Sequence, residues 1–191
     1  MMTRDATQIA RSLLNDAQQL MREISEGMID VVVSNAAQIR SFNSLREELT
    51  TFEAQYLYFY AFGLVLFSRT IRETWANQDI ESVLEAAADE LSRKIAYSRG
   101  SEADLKQIRA SVFHNARNMY ENTKSSYGRL LSGEVGAEAV FTLVMRDLTH
   151  AFPGASILLT EAPELLTIIV QRFGTLSLAG AVGASAARPS T

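Results

Sequence analysis

The sequence predicts an all-α fold, a multi-helix bundle of about six to seven helices with short loops around a fully apolar central helix. Apolar residues recur every three or four positions along most of the 191 residues, which is the period of an amphipathic helix. No segment alternates apolar and polar residues between turn pairs, as a half-buried strand would. All three prolines lie at position 153 or later, so residues 1–152 contain no proline that would break a helix.

Length and composition bound the organisation of the chain. We expect one helical bundle domain over residues 1–174, followed by a small-residue tail over residues 175–191 that is flexible. The chain has no cysteine, which excludes disulfide frameworks, thiolate metal sites and thiol nucleophiles. Arginine supplies fifteen of the eighteen basic residues, a composition that favours a high-GC bacterial genome.

Targeting and charge patterns point to a cytoplasmic protein. The N-terminal residues "MMTRDATQIARSLLNDAQQL" lack the apolar core of a secretory signal. No run reaches the ~20 apolar residues that a membrane-spanning helix needs, so we expect no transmembrane span. The net charge of −4 argues against a dedicated nucleic-acid binder.

The first amphipathic stripe runs from Ile9 to Phe52. One helix of that length would extend ~65 Å at ~1.5 Å per residue, which is too long for a compact domain of this size. We therefore expect two helices with a break near residues 41–50, where Ser44 and Glu47 have the spacing of a capping box. Asn35 interrupts the stripe. It either finds a hydrogen-bond partner in the core, lies at the edge of the stripe, or determines helix register or oligomeric state.

Five further helices follow in order. Turn residues, capping residues and prolines set their expected ends. The first reaches about Trp75, and the second runs from "NQD" at 77–79 to "SRGS" at 98–101. The third covers residues 101–131. The fourth passes through Leu148 and is stopped by "FPG" at 152–154, and the fifth runs from Thr160 to just before Gly174.

The segment "YLYFYAFGLVLF", residues 56–67, is apolar on every face of a helix, so other helices must surround it. Tyr58 lies nearly opposite Tyr56 and Tyr60, and each buried hydroxyl needs a partner. The segment is a core helix, a subunit interface or the mouth of a ligand cavity, and membrane insertion is the poorest interpretation. The candidate ligand-binding or interface residues are Tyr56, Tyr58, Phe59, Tyr60 and Phe62.

The helix over 101–131 is the most basic part of the chain. Its basic residues could bind an anion such as a nucleotide, a phospholipid headgroup or an RNA backbone. The alternative is a solvated face, or one paired with the acidic helix that carries Glu81, Glu85, Asp89 and Glu90. No aromatic row interleaves the basic residues, which makes nucleic acid an unlikely partner. The candidate anion-binding residues are Lys106, Arg109, His114, Arg117 and Lys124.

Motifs of catalysis are absent from the sequence. It contains no phosphate-binding loop, no dinucleotide-binding glycine motif, no HExxH and no GxSxG. Asp147 and His150 share a helix face and could ligate a metal, but with only two histidines in the chain we interpret them as a chance pair. We expect no metal and no cofactor, assign no catalytic residue, and regard the chain as more typical of a structural or interaction protein than of an enzyme.

These observations lead to three ranked functions. The first is a structural or protein-interaction domain, homo-oligomeric through its apolar aromatic helix surface, with itself or another protein as partner. The second is a ligand-binding bundle that encloses an apolar small molecule. The third is an enzyme or anion-binding protein that uses the basic helix 101–131.

Overall fold

A computed structural model of the chain describes residues 6–35, 54–99 and 104–183. These residues form seven α-helices and one short 3-10 helix, and none of them is in a β-strand, which confirms the predicted all-α bundle. The helices are α1 Ala6–Ser34, α2 Ala54–Glu73, α3 Asn77–Arg99, α4 Leu105–Leu131, α5 Ala137–Ala151, the 3-10 helix Pro153–Ile157, α6 Leu158–Glu161 and α7 Pro163–Val182.

Helix α2 is the predicted central helix of the bundle. It packs against α1, α4, α5 and α7. Side chains on every side of it are buried, among them Leu57, Phe62, Leu64 and Leu66. An apolar helix of this kind is stable in water only when its neighbours cover all its faces, and the bundle supplies that cover.

Helix α1 buries one stripe of its surface, which includes Leu13, Ile24 and Met28, against α2 and α3. The helix ends at Ser34, and the Asn35 amide donates to the Val31 carbonyl at 2.7 Å in the last turn. A half-buried Asn35 therefore closes the end of the helix, a local role that fits its preference for helix ends. The predicted break near residues 41–50 lies outside the described residues.

The predicted stop at residues 152–154 is confirmed, whereas the turn predicted at residues 77–79 lies just before them, at residues 74–76. Helix α3 begins at Asn77, and the Asp79 carboxylate accepts the backbone N–H of Ala76 at 3.3 Å. Helix α5 ends at Ala151, before Pro153 begins the 3-10 helix.

The predicted end of the last helix at Gly174 is wrong, because α7 continues to Val182. A Cβ atom on Gly174 would lie 3.3 Å from the Val144 side chain of α5, and one on Gly180 would lie 2.6 Å from the Leu20 side chain of α1. Small residues beyond position 173 thus let α7 pack closely against both helices. The helix ends at Gly183, whose φ of 68° is the left-handed conformation typical of a C-terminal cap.

Within the described parts of the chain, α7 is the one helix long and apolar enough to cross a membrane by length and composition. An 18-residue stretch of α7 meets these criteria, and 44 % of it is buried inside the bundle. Because the core helix of a soluble protein meets the same criteria, this stretch is weak evidence for a membrane span. The expected absence of a membrane span stays a prediction.

Candidate functional site

A polar cavity of about 220 Å³ lies between α2, α4 and α5. This volume is below the range of about 300–1,000 Å³ that is usual for drug-sized ligands, so it suits a small molecule. The lining residues are Tyr56 and Tyr60 from α2, Met119, Asn122, Thr123, Ser126 and Tyr127 from α4, and Arg146, Asp147 and His150 from α5.

Helical spacing explains why these side chains converge. The lining residues on each helix follow one another in steps of one, three or four, so each set occupies one face. The packing of α2 between α4 and α5 then turns the three faces toward a common space. The cavity is therefore formed by rigid helices rather than by loops.

Two tyrosine hydroxyls meet at the inner end of the cavity. The Tyr60 and Tyr127 oxygens lie 2.6 Å apart, and both side chains are buried. The buried Ser177 hydroxyl of α7 approaches both of them without completing a hydrogen bond. Burial raises the pKa of Tyr60 well above its usual value and that of Tyr127 to about 12, so both stay neutral hydroxyls near neutral pH.

An ion pair with a buried carboxylate lies beside the tyrosines. Arg146 donates to Asp147 Oδ1 through Nε at 2.9 Å and through Nη2 at 2.7 Å. The Asp147 side chain is 2 % exposed, whereas that of Arg146 is 50 % exposed. Burial raises the pKa of Asp147, although Arg146 acts against the rise. The pair thus has one covered member, the carboxylate, and one accessible member, the guanidinium.

Aromatic rings form a stacked row through the site. The ring centroids of His150 and Tyr56 lie 5.4 Å apart, those of Tyr56 and Tyr60 6.2 Å apart, and those of Tyr60 and Phe173 5.7 Å apart. The His150 ring is held by its Nδ1, which donates to the Arg146 carbonyl at 2.7 Å, since a carbonyl can only accept. Three of these rings, those of Tyr56, Tyr60 and His150, line the cavity.

The other predicted aromatic residues lie away from this cavity. Tyr58 donates from its hydroxyl to the Leu14 carbonyl of α1 at 3.4 Å. Phe59 and Phe62 are buried in the core. Burial of Phe59, Tyr60 and Phe62 within a single chain leaves their rings covered, so they do not present the aromatic surface that we expected at an interface.

The predicted anion-binding residues do not come together. Arg109 pairs with Asp89, and Arg117 Nη2 lies 3.0 Å from Glu81 Oε1, so these two bind the acidic helix α3. His114 pairs with Asn118 at 2.8 Å. Lys106 and Lys124 are exposed, with the Lys124 ammonium 6.0 Å from the centre of the Tyr120 ring. None of the five lines the cavity, and the contacts favour the alternative of pairing with the acidic helix.

Metal ligands are not clustered in the described part of the chain, where no three His, Asp or Glu side chains are close enough to hold an ion. Asp147 and His150 do share a face of α5, and both line the cavity. Their interpretation as a chance pair with respect to a metal stays a prediction.

Sequence reasoning missed Arg146 and Tyr127 as site residues. Arg146 lies next to Asp147 in sequence, a spacing at which helical side chains do not usually face each other. Tyr127 belongs to the apolar stripe of α4, and nothing in the sequence distinguishes it from the other core residues of that stripe. The available signal was Asp147, an acidic residue among the apolar positions that predict the buried face of α5.

A second cavity of about 240 Å³ lies between α1, α2 and α7. Asp16 and Glu23 stand on its α1 side, and the buried Ser68 hydroxyl faces it from α2 without a hydrogen-bond partner. Gly180 and Gly183 bring the backbone of α7 close to it.

Comparisons with protein-family models, with curated proteins and with solved structures find no match to this chain.

Proposed function

We propose that this protein binds a small organic molecule in the cavity between α2, α4 and α5. One observation carries the proposal: the ion pair of Arg146 with the buried Asp147 carboxylate and the buried hydroxyl pair of Tyr60 and Tyr127 line the same cavity. The proposal keeps the ligand-binding alternative drawn from the sequence but changes its chemistry, because the cavity is polar as well as aromatic.

The energetics of the site support a role in binding. Removing a carboxylate from water costs free energy, and an opposite charge and hydrogen bonds offset that cost only in part. The raised pKa of Asp147 reports such a cost in this fold. Polar groups that converge on an otherwise aromatic pocket are the usual composition of a ligand site.

The tyrosines of the site act as neutral hydrogen-bonding groups. Burial raises the pKa of Tyr56 to about 12, as it does that of Tyr127. Tyrosines of this kind donate and accept hydrogen bonds but do not act as bases or nucleophiles near neutral pH.

Self-association was the first function that the sequence predicted, and it stays a separate prediction. Its main support was the aromatic surface of α2, and the burial of Phe59, Tyr60 and Phe62 within one chain removes that support. Light scattering across a dilution series measures it independently of ligand binding.

Ligand-observed NMR with a library of small fragments tests the proposed function. The cavity is filled in the variant Ser126→Trp, because Ser126 lines it from α4. The neighbouring Ser125 is exposed and does not line the cavity, so Ser125→Trp is a matched control. We expect fragments that bind the wild type to bind Ser125→Trp equally well and to lose binding to Ser126→Trp.

Circular dichroism and thermal unfolding establish that both variants are folded. Asn122→Trp, at an exposed position on the rim of the cavity, is the second blocking variant if Ser126→Trp does not fold. Fragments that bind the blocked variants as tightly as the wild type, or the absence of any bound fragment, would overturn the proposal.

A further inference from the structure

We infer that the cavity recognises a small aromatic carboxylate, with Arg146 as the residue that pairs with the carboxylate group. This inference rests on the proposed function, since it names the ligand class of the same cavity. It departs from the apolar ligand expected from the sequence and from the basic helix expected to bind anions.

The accessible charge in the cavity is positive. Asp147 is covered, and its Oδ1 already accepts two hydrogen bonds from Arg146. Arg146 is half exposed, and two of the five guanidinium N–H groups donate to Asp147. The contacts of the described residues leave the Nη1 group of Arg146 available, and a ligand that enters the cavity meets it rather than the carboxylate.

The ion pair also orients the guanidinium. Bonds from Nε and Nη2 to one carboxylate oxygen fix the plane of the Arg146 side chain. An arginine held in one plane loses less conformational entropy when it binds a second carboxylate. Asp147 is in this sense a positioning residue for Arg146.

Neutral donors complete the surroundings of an anion. The Tyr56 hydroxyl stays protonated near neutral pH, and the side chains of Asn122 and Ser126 both carry N–H or O–H groups. Asp147 is the one acidic residue in the lining. A cationic ligand would need that covered carboxylate and would face the guanidinium, so an amine fits this cavity poorly.

The row of stacked rings suits an aromatic ligand. His150 and Tyr56 stack at 5.4 Å with an interplanar angle of 23°, and Tyr56 continues the row toward Tyr60. A planar ring can extend such a row by offset stacking or by an edge contact. The cavity volume of about 220 Å³ limits the ligand to about one ring with a short polar group.

Three probes of similar size and different charge test the inference: benzoate, benzyl alcohol and benzylamine. Their dissociation constants are measured by NMR titration at one ionic strength against the full-length chain. We expect benzoate to bind at least about tenfold more tightly than benzyl alcohol, the factor that one charge-assisted hydrogen bond supplies, and benzylamine to bind most weakly.

Variants at position 146 assign the charge. Arg146→Gln should weaken benzoate binding by about tenfold or more and change benzyl alcohol binding by less than about threefold. Because this variant leaves Asp147 buried without its partner, the double variant Arg146→Gln/Asp147→Asn repeats the test without an unpaired charge. Arg129→Gln removes an exposed arginine of α4 that does not line the cavity, and it should leave all three affinities unchanged.

The outcomes separate this inference from the proposed function. If library fragments bind in the cavity but benzoate binds no more tightly than benzyl alcohol, or benzylamine binds best, the carboxylate inference is wrong and the proposed function holds. If Arg146→Gln and the double variant both keep full benzoate affinity, Arg146 is not the anchor. If neither the library nor the three probes bind, both proposals are wrong.

Discussion

The hydroxyl oxygens of Tyr60 and Tyr127 lie 2.6 Å apart in the core, where α2 and α4 face each other. The two residues are 67 positions apart in sequence, so this bond joins the central helix to a helix from the second half of the chain. It is also the inner boundary of the cavity.

The first prediction concerns this hydroxyl pair. Tyr60→Phe or Tyr127→Phe leaves one buried hydroxyl without its partner, and each should lower the free energy of unfolding by about 1–3 kcal/mol. The double variant should lose less than the sum of the two single changes, because no orphaned hydroxyl is left. Urea unfolding of all four proteins measures the cycle. Strictly additive losses would contradict a direct hydrogen bond.

The second prediction uses two glycines of opposite environment. A Cβ atom on Gly63 would lie 2.8 Å from Thr123 Oγ1 and 3.1 Å from the Met119 carbonyl oxygen, whereas one on Gly128 meets nothing within 4 Å. Gly63→Ala should therefore push α2 from α4 and destabilise the fold by about 1–3 kcal/mol. Gly128→Ala should stabilise α4 by about 0.5–1 kcal/mol.

Thermal and urea unfolding of the two glycine variants measure both effects. The same chemical change is made in both, so the opposite signs isolate the packing at Gly63. Equal stabilisation by the two variants would mean that α2 and α4 are further apart than the structure places them.

The third prediction concerns pH and Asp147. Burial raises the folded-state pKa of Asp147 above its usual 3.8, so the folded chain holds this proton more tightly than the unfolded chain. The contribution of Asp147 to stability then falls as pH rises from 3.8 through the raised folded value. Asp147→Asn should be more stable than the wild type at pH 7, by a margin that shrinks as the pH is lowered.

Unfolding free energies of both proteins between pH 4 and 8 measure this margin. Asp16→Asn, which removes an exposed carboxylate of α1, is the control for a change in net charge. A margin that grows as the pH falls would contradict the raised pKa of Asp147.

The fourth prediction concerns Thr74, which follows α2 with a φ of 50°. This left-handed conformation is strained for a β-branched residue, and glycine adopts it without that cost. Thr74→Gly should raise the free energy of unfolding by about 0.5–1 kcal/mol. Thr70→Gly, inside α2, should lower it, and a loss of stability in both variants would exclude strain at Thr74.

Periodicity predicted the helices well because the 3.6-residue pattern is local. It placed the ends of α2 and α5 within a few residues, and it identified α2 as the central helix, against which α1, α4, α5 and α7 pack. The end of α7 was missed because small residues are typical both of flexible tails and of closely packed helices. The segment "GTLSLAGAVG" suits a flexible tail, but Gly174 and Gly180 also allow close packing against Val144 and Leu20. Which of the two structures forms depends on whether neighbouring helices pack against the segment.

The site was predicted in part, and for a physical reason. Tyr56 and Tyr60 were singled out because hydroxyls on an apolar helix need partners, and both line the cavity between α2, α4 and α5, with Tyr60 buried. The charge of the cavity was missed because Arg146 and Asp147 become a site only when α5 packs against α2 and α4. A row of basic residues on α4 was the stronger sequence signal, yet acids of α3 pair with Arg109 and Arg117.

A ligand site between α2, α4 and α5 is tested most directly by a map of amide chemical shifts in the ¹⁵N-labelled chain titrated with the tightest-binding library fragment. We expect the largest shifts to cluster at residues 119–127 of α4, 146–150 of α5 and 56–60 of α2. A cluster at Asp16, Glu23 and Ser68 would place the ligand in the second cavity instead, and shifts scattered over the surface would mean that this bundle has no ligand site between α2, α4 and α5.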